Sequence, residues 1–345
     1  MKNIFITGES GTIPIQLQIL SNSFGFNVVN TQLEDNFLTG FKTHQSFKVR
    51  KLELDFLKRN FLLNFHDLWE KVDLIIHSGA YVGTDFCNSD PTNAIRTNVE
   101  GTQNIVDICN KFKIPLIYLS TTAILDPKFY SDTCHMTEMT SINPQTIYGI
   151  TKYAGELIVK NTCITKNLVL RPVFGFGNYP EDLHSALTKT IYVLYRNLKG
   201  KDTKLTILLD NLIPKSYTRV ENIATCILNF ADILIKDYKK LKSNLFNIGE
   251  NHEKSKDWSQ LIDIIGSCFE IRNLCTKSEC NDIFNKKITF APQKDYLHFH
   301  NIDDSLLQLQ KIDFINQKNY ISIKQGIALS LNSVIQNLDK EPYWL

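Results

Sequence analysis

The chain of 345 residues lacks the charge excess of a nucleic-acid binder: 38 Lys and Arg stand against 36 Asp and Glu, a formal charge of +2. No basic field is therefore available to attract a phosphate backbone. No apolar run approaches the length of a membrane span. The N-terminus, Met1-Lys2-Asn3-Ile4-Phe5-Ile6, enters a short strand and has no signal-peptide core. A cytoplasmic protein without nucleic acid or membrane among its partners is the expectation. The eight cysteines (87, 109, 134, 163, 226, 268, 275 and 280) include no Cys-x-x-Cys pair, which argues against a zinc ribbon or a redox motif and for buried reduced thiols. His298 and His300 alternate on one strand face, but two ligands do not make a metal site, and no metal is expected. Internal repeats and low-complexity tracts are also missing. What remains is a 43% hydrophobic chain, ample for a core in one large or two medium domains.

Short apolar runs alternate with helical patterns through the first half. Asn3 to Thr7 reads as a strand, followed by a tight turn, a helix from about Thr12 to Asn22, and a second short strand from Asn27 to Asn30. Val72 to His77 is nearly continuously apolar, as a strand buried on both faces requires. Residues 95, 99, 102, 105, 106 and 109, all apolar except Thr102, give Thr92 to Phe112 a helical spacing. Ile114 to Leu119 and Leu168 to Arg171 read as strands on either side of a helix from Tyr148 to Lys160. This alternation implies right-handed crossovers and an α/β, doubly wound Rossmann-type parallel sheet. After Pro172 the pattern loosens. Helical stretches near 184–198 and 221–238 surround a strand at Leu205 to Leu209, Asn244 to Gly249 reads as a further strand, and Trp258 to Phe269 as a helix. Residues 272–287 are polar and poorly periodic, a surface excursion. The expected division is a cofactor-binding domain over 1–172 with a returning segment at about 215–248, and a smaller C-terminal substrate lobe over 173–214 and 249–345.

Two local patterns carry chemistry. Thr7-Gly8-Glu9-Ser10-Gly11-Thr12-Ile13-Pro14 joins the first strand to the first helix, where a glycine turn lets backbone N–H groups approach a pyrophosphate at a helix N-terminus. Pro14 stands where a third glycine is expected; a first helical turn tolerates it, at the cost of bulk and one donor. Asn30-Thr31-Gln32 lies where an acid would bind a ribose 2′-hydroxyl, and with no arginine there either, NAD and NADP remain equal candidates. In Tyr148-Gly149-Ile150-Thr151-Lys152 the phenol and the ammonium are four residues apart and share a helix face. A cation beside the phenol is expected to lower a pKa that is ordinarily ~10, and an oxidised nicotinamide ring could add to the effect.

With these pieces in order, the chain resembles the extended short-chain dehydrogenase/reductase family, also called the NAD-dependent epimerase/dehydratase family. The resemblance runs from Ile6-Thr7-Gly8-x-x-Gly11 through Leu54-Asp55, His77-Ser78-Gly79-Ala80, Asn98-Val99-Glu100-Gly101-Thr102 and Leu119-Ser120-Thr121-Thr122-Ala123. It continues through Tyr148-Gly149-Ile150-Thr151-Lys152-x-x-Gly155-Glu156, Leu170-Arg171-Pro172, Tyr217-Thr218-Arg219-Val220-Glu221-Asn222 and Phe246-Asn247-Ile248-Gly249. It implies NAD or NADP as cofactor, held by Gly8, Ser10, Gly11, Thr12, Ile13, Asn30, Leu54, Asp55, Ser78, Gly79, Ala80, Asn98 and Ser120, with Tyr148 and Lys152. It implies Thr122 as the catalytic hydroxyl, with Thr121 as the alternative, Tyr148 as acid/base and Lys152 on the nicotinamide ribose. The implied reaction is hydride transfer on a nucleotide sugar. An epimerase is the first reading, a 4-keto-sugar reductase of the dTDP-rhamnose type the second, and a non-catalytic cofactor-binding member the third. The dehydratase branch carries Asp-Glu after its threonine; Ala123-Ile124 stand here. Many epimerases place Asn three residues after the arginine of Arg-Pro; Phe174 stands here. Relatives pair the helices corresponding to 92–112 and 148–160, which implies a homodimer.

Overall fold

A computed structural model describes residues 1–8, 11–29, 63–126, 137–178, 182, 185–207, 217–249, 257–290 and 321–339. Ser10, Asn30, Leu54, Asp55, His298 and His300 lie outside these residues. The first part of the chain forms β1 (Lys2–Thr7), α1 (Thr12–Ser21), β2 (Phe26–Val28), α2 (His66–Trp69), β3 (Leu74–His77), α3 (Thr84–Ser89) and α4 (Pro91–Ile95). A π-type turn (Arg96–Glu100) leads into α5 (Gly101–Phe112), then β4 (Leu116–Leu119), a 3₁₀ turn (Thr122–Ile124), α6 (Ile147–Thr162) and β5 (Asn167–Pro172). Beyond it come β6 (Gly175–Phe176), α7 (Ala186–Leu198), β7 (Leu205–Ile207), β8 (Thr218–Arg219), α8 (Val220–Lys236) and β9 (Leu245–Ile248). The described part ends with α9 (Trp258–Ile271), α10 (Lys277–Lys287), β10 (Ile288–Phe290) and α11 (Ile323–Gln336).

Among the described residues, six strands make one parallel sheet in the order β2-β1-β3-β4-β5-β9. β3 and β4 are buried at every position, which explains their unbroken apolar runs: helices cover both faces. On one face Ile4, Ile6, Ile76 and Ile117 pack with Leu17 of α1 and Ile223, Ile227 and Phe230 of α8. On the other, Phe5, Ile75, Leu116 and Tyr118 pack with Ile105 and Ile108 of α5 and Val159 of α6. A separate apolar cluster joins α7, α9, α10 and α11 around Trp258. The chain passes from β1 to β2 on one side and then to β3 on the other, so a crevice opens at the carboxyl ends of β1 and β3, where such sheets bind ligands.

Two expectations are corrected, and the tolerance expected of Pro14 is met. The helix expected over Thr92 to Phe112 is continuous in direction but interrupted by the π-type turn, which holds Asn98. Residues 277–287 form α10 instead of an irregular excursion. Its pattern is faint because only Cys280 and Phe284 are buried, one turn apart, while Thr276 and Glu279 form a capping box that fixes its start. Pro14 leaves α1 intact, since it occupies the first turn, whose N–H groups have no intrahelical partner. At the far edge of the sheet, the Glu138 carboxylate accepts the N–H of Asn247 on β9 at 2.8 Å.

Candidate active site

The site grows from two close backbone approaches. Gly8 has a φ of +74°, and a Cβ there would lie 2.6 Å from the Cα of Gly79, so the turn after β1 presses directly against the segment after β3. Gly11 closes the turn by donating its N–H to the carbonyl of Gly8 at 3.0 Å and caps α1 without a side chain. The first-turn residues Thr12 and Ile13 face the cleft beside Pro14, which lines the opening without sealing it from Gly8 and Gly11. This is a seat for an anionic group at a helix N-terminus.

Behind that seat lies a buried hydrogen-bond chain whose proton order can be deduced. Thr7 Oγ1 accepts the N–H groups of Ser78 at 3.1 Å and Gly79 at 2.9 Å. Its own proton therefore goes to Nδ1 of His77, 2.7 Å away, so the ring carries its hydrogen on Nε2. Nε2 donates to Thr102 Oγ1 at 3.1 Å, which donates to the carbonyl of Asn98 at 2.7 Å. Burial, reinforced by the charge of Lys152, pushes the His77 pKa down to about 3 and keeps the ring neutral. The Asn98 side chain accepts the N–H of Tyr81 at 2.7 Å and donates to the Tyr81 carbonyl at 3.1 Å and to Thr151 Oγ1 at 2.9 Å. Thr151 in turn donates to the carbonyl of Tyr148 at 3.0 Å. Asn98 and Gly79 thus brace the floor from behind and do not line the cleft.

The catalytic corner is set by α6. Thr146 caps the helix by accepting the N–H of Gly149 at 2.9 Å. A Cβ on Gly149 would lie 2.7 Å from the carbonyl oxygen of Ala123, so this glycine lets the first turn of α6 press on the 3₁₀ turn after β4. Tyr148 thereby meets Thr121, whose hydroxyl is near enough to draw the phenol's pKa down. Thr122, at the next position, is only 1% exposed, although it contributes to the cleft wall with Ser120. Ser120 Oγ is buried and has no hydrogen-bond partner among the described residues.

The electrostatics of this corner differ from expectation. The Tyr148 pKa is pushed up to about 12, not down: burial dominates, the nearby Cys87 thiol adds to it, and the Thr121 hydroxyl only partly opposes it. Lys152 is itself only 2% exposed, and burial lowers its pKa to about 7 against the opposing pull of Glu156 and Cys87. Its ammonium stands 4.3 Å from the centre of the Tyr118 ring. Glu156 forms a bidentate pair with Arg171 of β5, at 2.8 and 2.7 Å, both side chains being buried.

The resulting cleft of about 660 Å³ joins Gly8, Gly11, Thr12, Ile13, Ser78, Ala80, Ser120, Thr122, Tyr148 and Lys152 of the sequence candidates. It also gathers residues that were not among the candidates for the site: Tyr81 to Thr84, and Phe174, Asp182, Ser185 and Tyr217, of which Phe174 and Tyr217 entered the sequence analysis only as landmarks. A signal for the first group existed, since Gly83 adopts φ +101° immediately before α3. The second group comes from separate stretches of chain that only the tertiary fold unites. A nicotinamide dinucleotide fits this donor set: the glycine seat admits a diphosphate, and Ser120 offers an orphaned hydroxyl beside Tyr148.

Known proteins agree with this architecture. The profile of the RmlD substrate binding domain matches residues 1–262. A Methanocaldococcus jannaschii protein named provisionally as a UDP-glucose 4-epimerase is 26% identical over 97% of this chain and 99% of its own length. The dTDP-4-dehydrorhamnose reductase of Aggregatibacter actinomycetemcomitans is 24% identical over 53% of this chain, which spans 57% of that relative. Among solved structures, RMD from Pseudomonas aeruginosa complexed with NADPH superposes with a TM-score of 0.70 at 17% identity, covering 97% of this chain and 100% of its own. The UDP-glucose 4-epimerase of Thermotoga maritima with UDP-glucose gives 0.67 at 18% identity, covering 97% and 99%. With a family profile extending from β1 into α9 over a sheet and cleft of this design, the chain belongs to the RmlD substrate binding domain family, within the nicotinamide-dependent extended short-chain dehydrogenases/reductases.

Proposed function

We propose that the protein is an NAD(P)-dependent epimerase of a nucleotide-activated sugar, with Tyr148 as acid/base. The observation that carries this reading is the meeting of Tyr148, Thr121 and Lys152 in one cleft with the glycine seat. The relative that aligns along almost the whole chain, provisionally a UDP-glucose 4-epimerase, supports it. The first turn of α1 would hold the diphosphate of a nicotinamide dinucleotide over the floor formed by the Ser78–Ala80 segment, and the group would supply hydride chemistry at a sugar carbon. Tyr148 exchanges a proton with the substrate oxygen. Thr121, the half-exposed hydroxyl that acts on the phenol, hydrogen-bonds the same oxygen in this reading, with Thr122 as the alternative. Lys152 holds a cofactor ribose hydroxyl and, when charged, stabilises the phenolate.

A second reading, a keto-sugar-nucleotide reductase, is favoured by the high pKa of Tyr148, which makes it a proton donor ready to complete reduction of a carbonyl. The purified protein is to be incubated with UDP- and dTDP-sugars and their 4-keto forms, following both cofactor absorbance and epimer formation. Epimer without net cofactor consumption supports the first reading, and stoichiometric NAD(P)H oxidation the second. Failure to bind NAD(H) or NADP(H) returns the chain to the non-catalytic reading. Tyr148→Phe is expected to lower kcat by ~10²–10⁴ with cofactor binding retained; unchanged turnover removes Tyr148 from the mechanism.

A further inference from the structure

Lys152 brings an ionisable amine into a buried site, yet no described carboxylate pairs with it. Glu156, four residues on, is the natural i, i+4 partner, but both its oxygens are taken by Arg171. What stands against the ammonium is the face of Tyr118, 4.3 Å from ring centre to Nζ. Tyr118 is fully buried on β4, and its hydroxyl donates to the carbonyl of Lys152 at 3.2 Å. The space for that hydroxyl exists because residue 155 is glycine: a Cβ there would lie 2.1 Å from the Tyr118 oxygen. The ring is also backed by His77, centroid to centroid 5.7 Å.

We propose that Tyr118 is a positioning residue for Lys152: its ring face holds the ammonium on the cleft side of α6, and its hydroxyl anchors the turn of helix from which Lys152 projects. The Arg171–Glu156 pair completes the device by withholding the competing carboxylate. This proposal rests on the catalytic reading above for its functional meaning, but the contact itself does not. Aromatic faces attract cations most strongly where water is excluded, and this site is buried. The same contact accounts for the glycine of the Tyr-x-x-x-Lys-x-x-Gly run as the seat of a phenol.

The test measures Lys152 directly in the full-length protein, by following its Cε resonance in a ¹³C-lysine sample against pH, the signal being assigned with Lys152→Met. The other groups that sense the ammonium are Glu156 on α6, Cys87 on α3 and His77 on β3; these stay unaltered, as do Arg171, the partner of Glu156, and Tyr148, which lines the same cleft. Tyr118→Phe keeps the ring and is expected to leave the midpoint within a few tenths of a unit. Replacing that phenylalanine by its difluoro and trifluoro analogues preserves shape while draining the ring face. The midpoint is expected to fall stepwise by about one unit, a tenfold change in the protonation constant. A purely structural role for the ring would not follow fluorination. An unchanged midpoint across the fluorinated series overturns the proposal, as does a Tyr118→Phe shift as large as that of trifluorination, which would transfer the effect to the hydroxyl. Because the readout needs neither cofactor nor substrate, it stands apart from loss of the catalytic reading, which would appear as absent cofactor binding or as indifference to Tyr148→Phe.

Discussion

At the scale of single residues, one position separates two threonines with different surroundings. Thr121 is partly open and near enough to Tyr148 to lower its pKa; Thr122 is enclosed by the turn it begins. Thr121→Val is expected to cost the hydrogen bond to a developing charge, about 1.5–3 kcal/mol, or roughly 10–100-fold in kcat. Thr122→Val is expected to leave kcat within a few-fold of wild type. Steady-state kinetics on the turned-over sugar checks both, and the opposite ranking restores Thr122. The sequence left this ambiguous for a physical reason. Strand alternation stops at Leu119, and the 3₁₀ turn that follows changes which side chain faces the cleft. The inverted expectation for Tyr148 has a comparable origin. A helical i, i+4 spacing places Lys152 on the same face as the phenol, but cannot show that burial outweighs the charge or that the ammonium turns to Tyr118.

At the scale of elements, α6 is fixed to the sheet by the buried Arg171–Glu156 pair and to the π-type turn by the Asn98–Thr151 bond. Breaking one partner of such a pair leaves the other buried and alone, so Arg171→Met is expected to destabilise by about 3–5 kcal/mol. Urea denaturation reads this, and an Arg171→Met/Glu156→Leu double variant is expected to recover part of the loss. A double variant no more stable than the single one would show that the pair is not the unit. Most elements were legible because they obey one period throughout: the apolar runs of β3 and β4, the stripe of α5 and the Tyr-Lys face of α6. α10 was not, because two buried residues on a polar helix leave almost no stripe. The Arg171–Glu156 partnership was not either, since both residues were visible but their pairing is tertiary.

At the scale of the whole molecule, the buried ionisable groups give folding stability a definite pH course. Lys152 binds its proton less tightly in the folded chain, at about 7, than at the ordinary 10.5, so stability rises as pH increases through that interval. His77, at about 3 against 6.5, works in the same sense at lower pH: stability is lost as the medium falls below 6.5, where the unfolded ring takes up a proton that the buried one refuses. Tyr148 acts oppositely above 10, where the unfolded phenol ionises first. Burial raises the thiol pKa of Cys87 to about 11, of Cys280 to about 12 and that of Cys109 as well, so these groups oppose the climb once their unfolded counterparts ionise. Denaturation midpoints are therefore expected to climb from pH 6.5 to about 8, and Lys152→Met to flatten the climb. A wild-type curve parallel to that of the variant would mean that Lys152 keeps an ordinary pKa when folded. The Glu138 carboxylate on Asn247 has its consequence among many copies of the chain. Among the described residues β9 is the outermost strand, a template on which a stranger's backbone can add, and one of its amides is already claimed by a negative charge that an incoming strand would have to displace. The contact that ties a distant loop to the last strand thus also works as a guard against stacking into fibres.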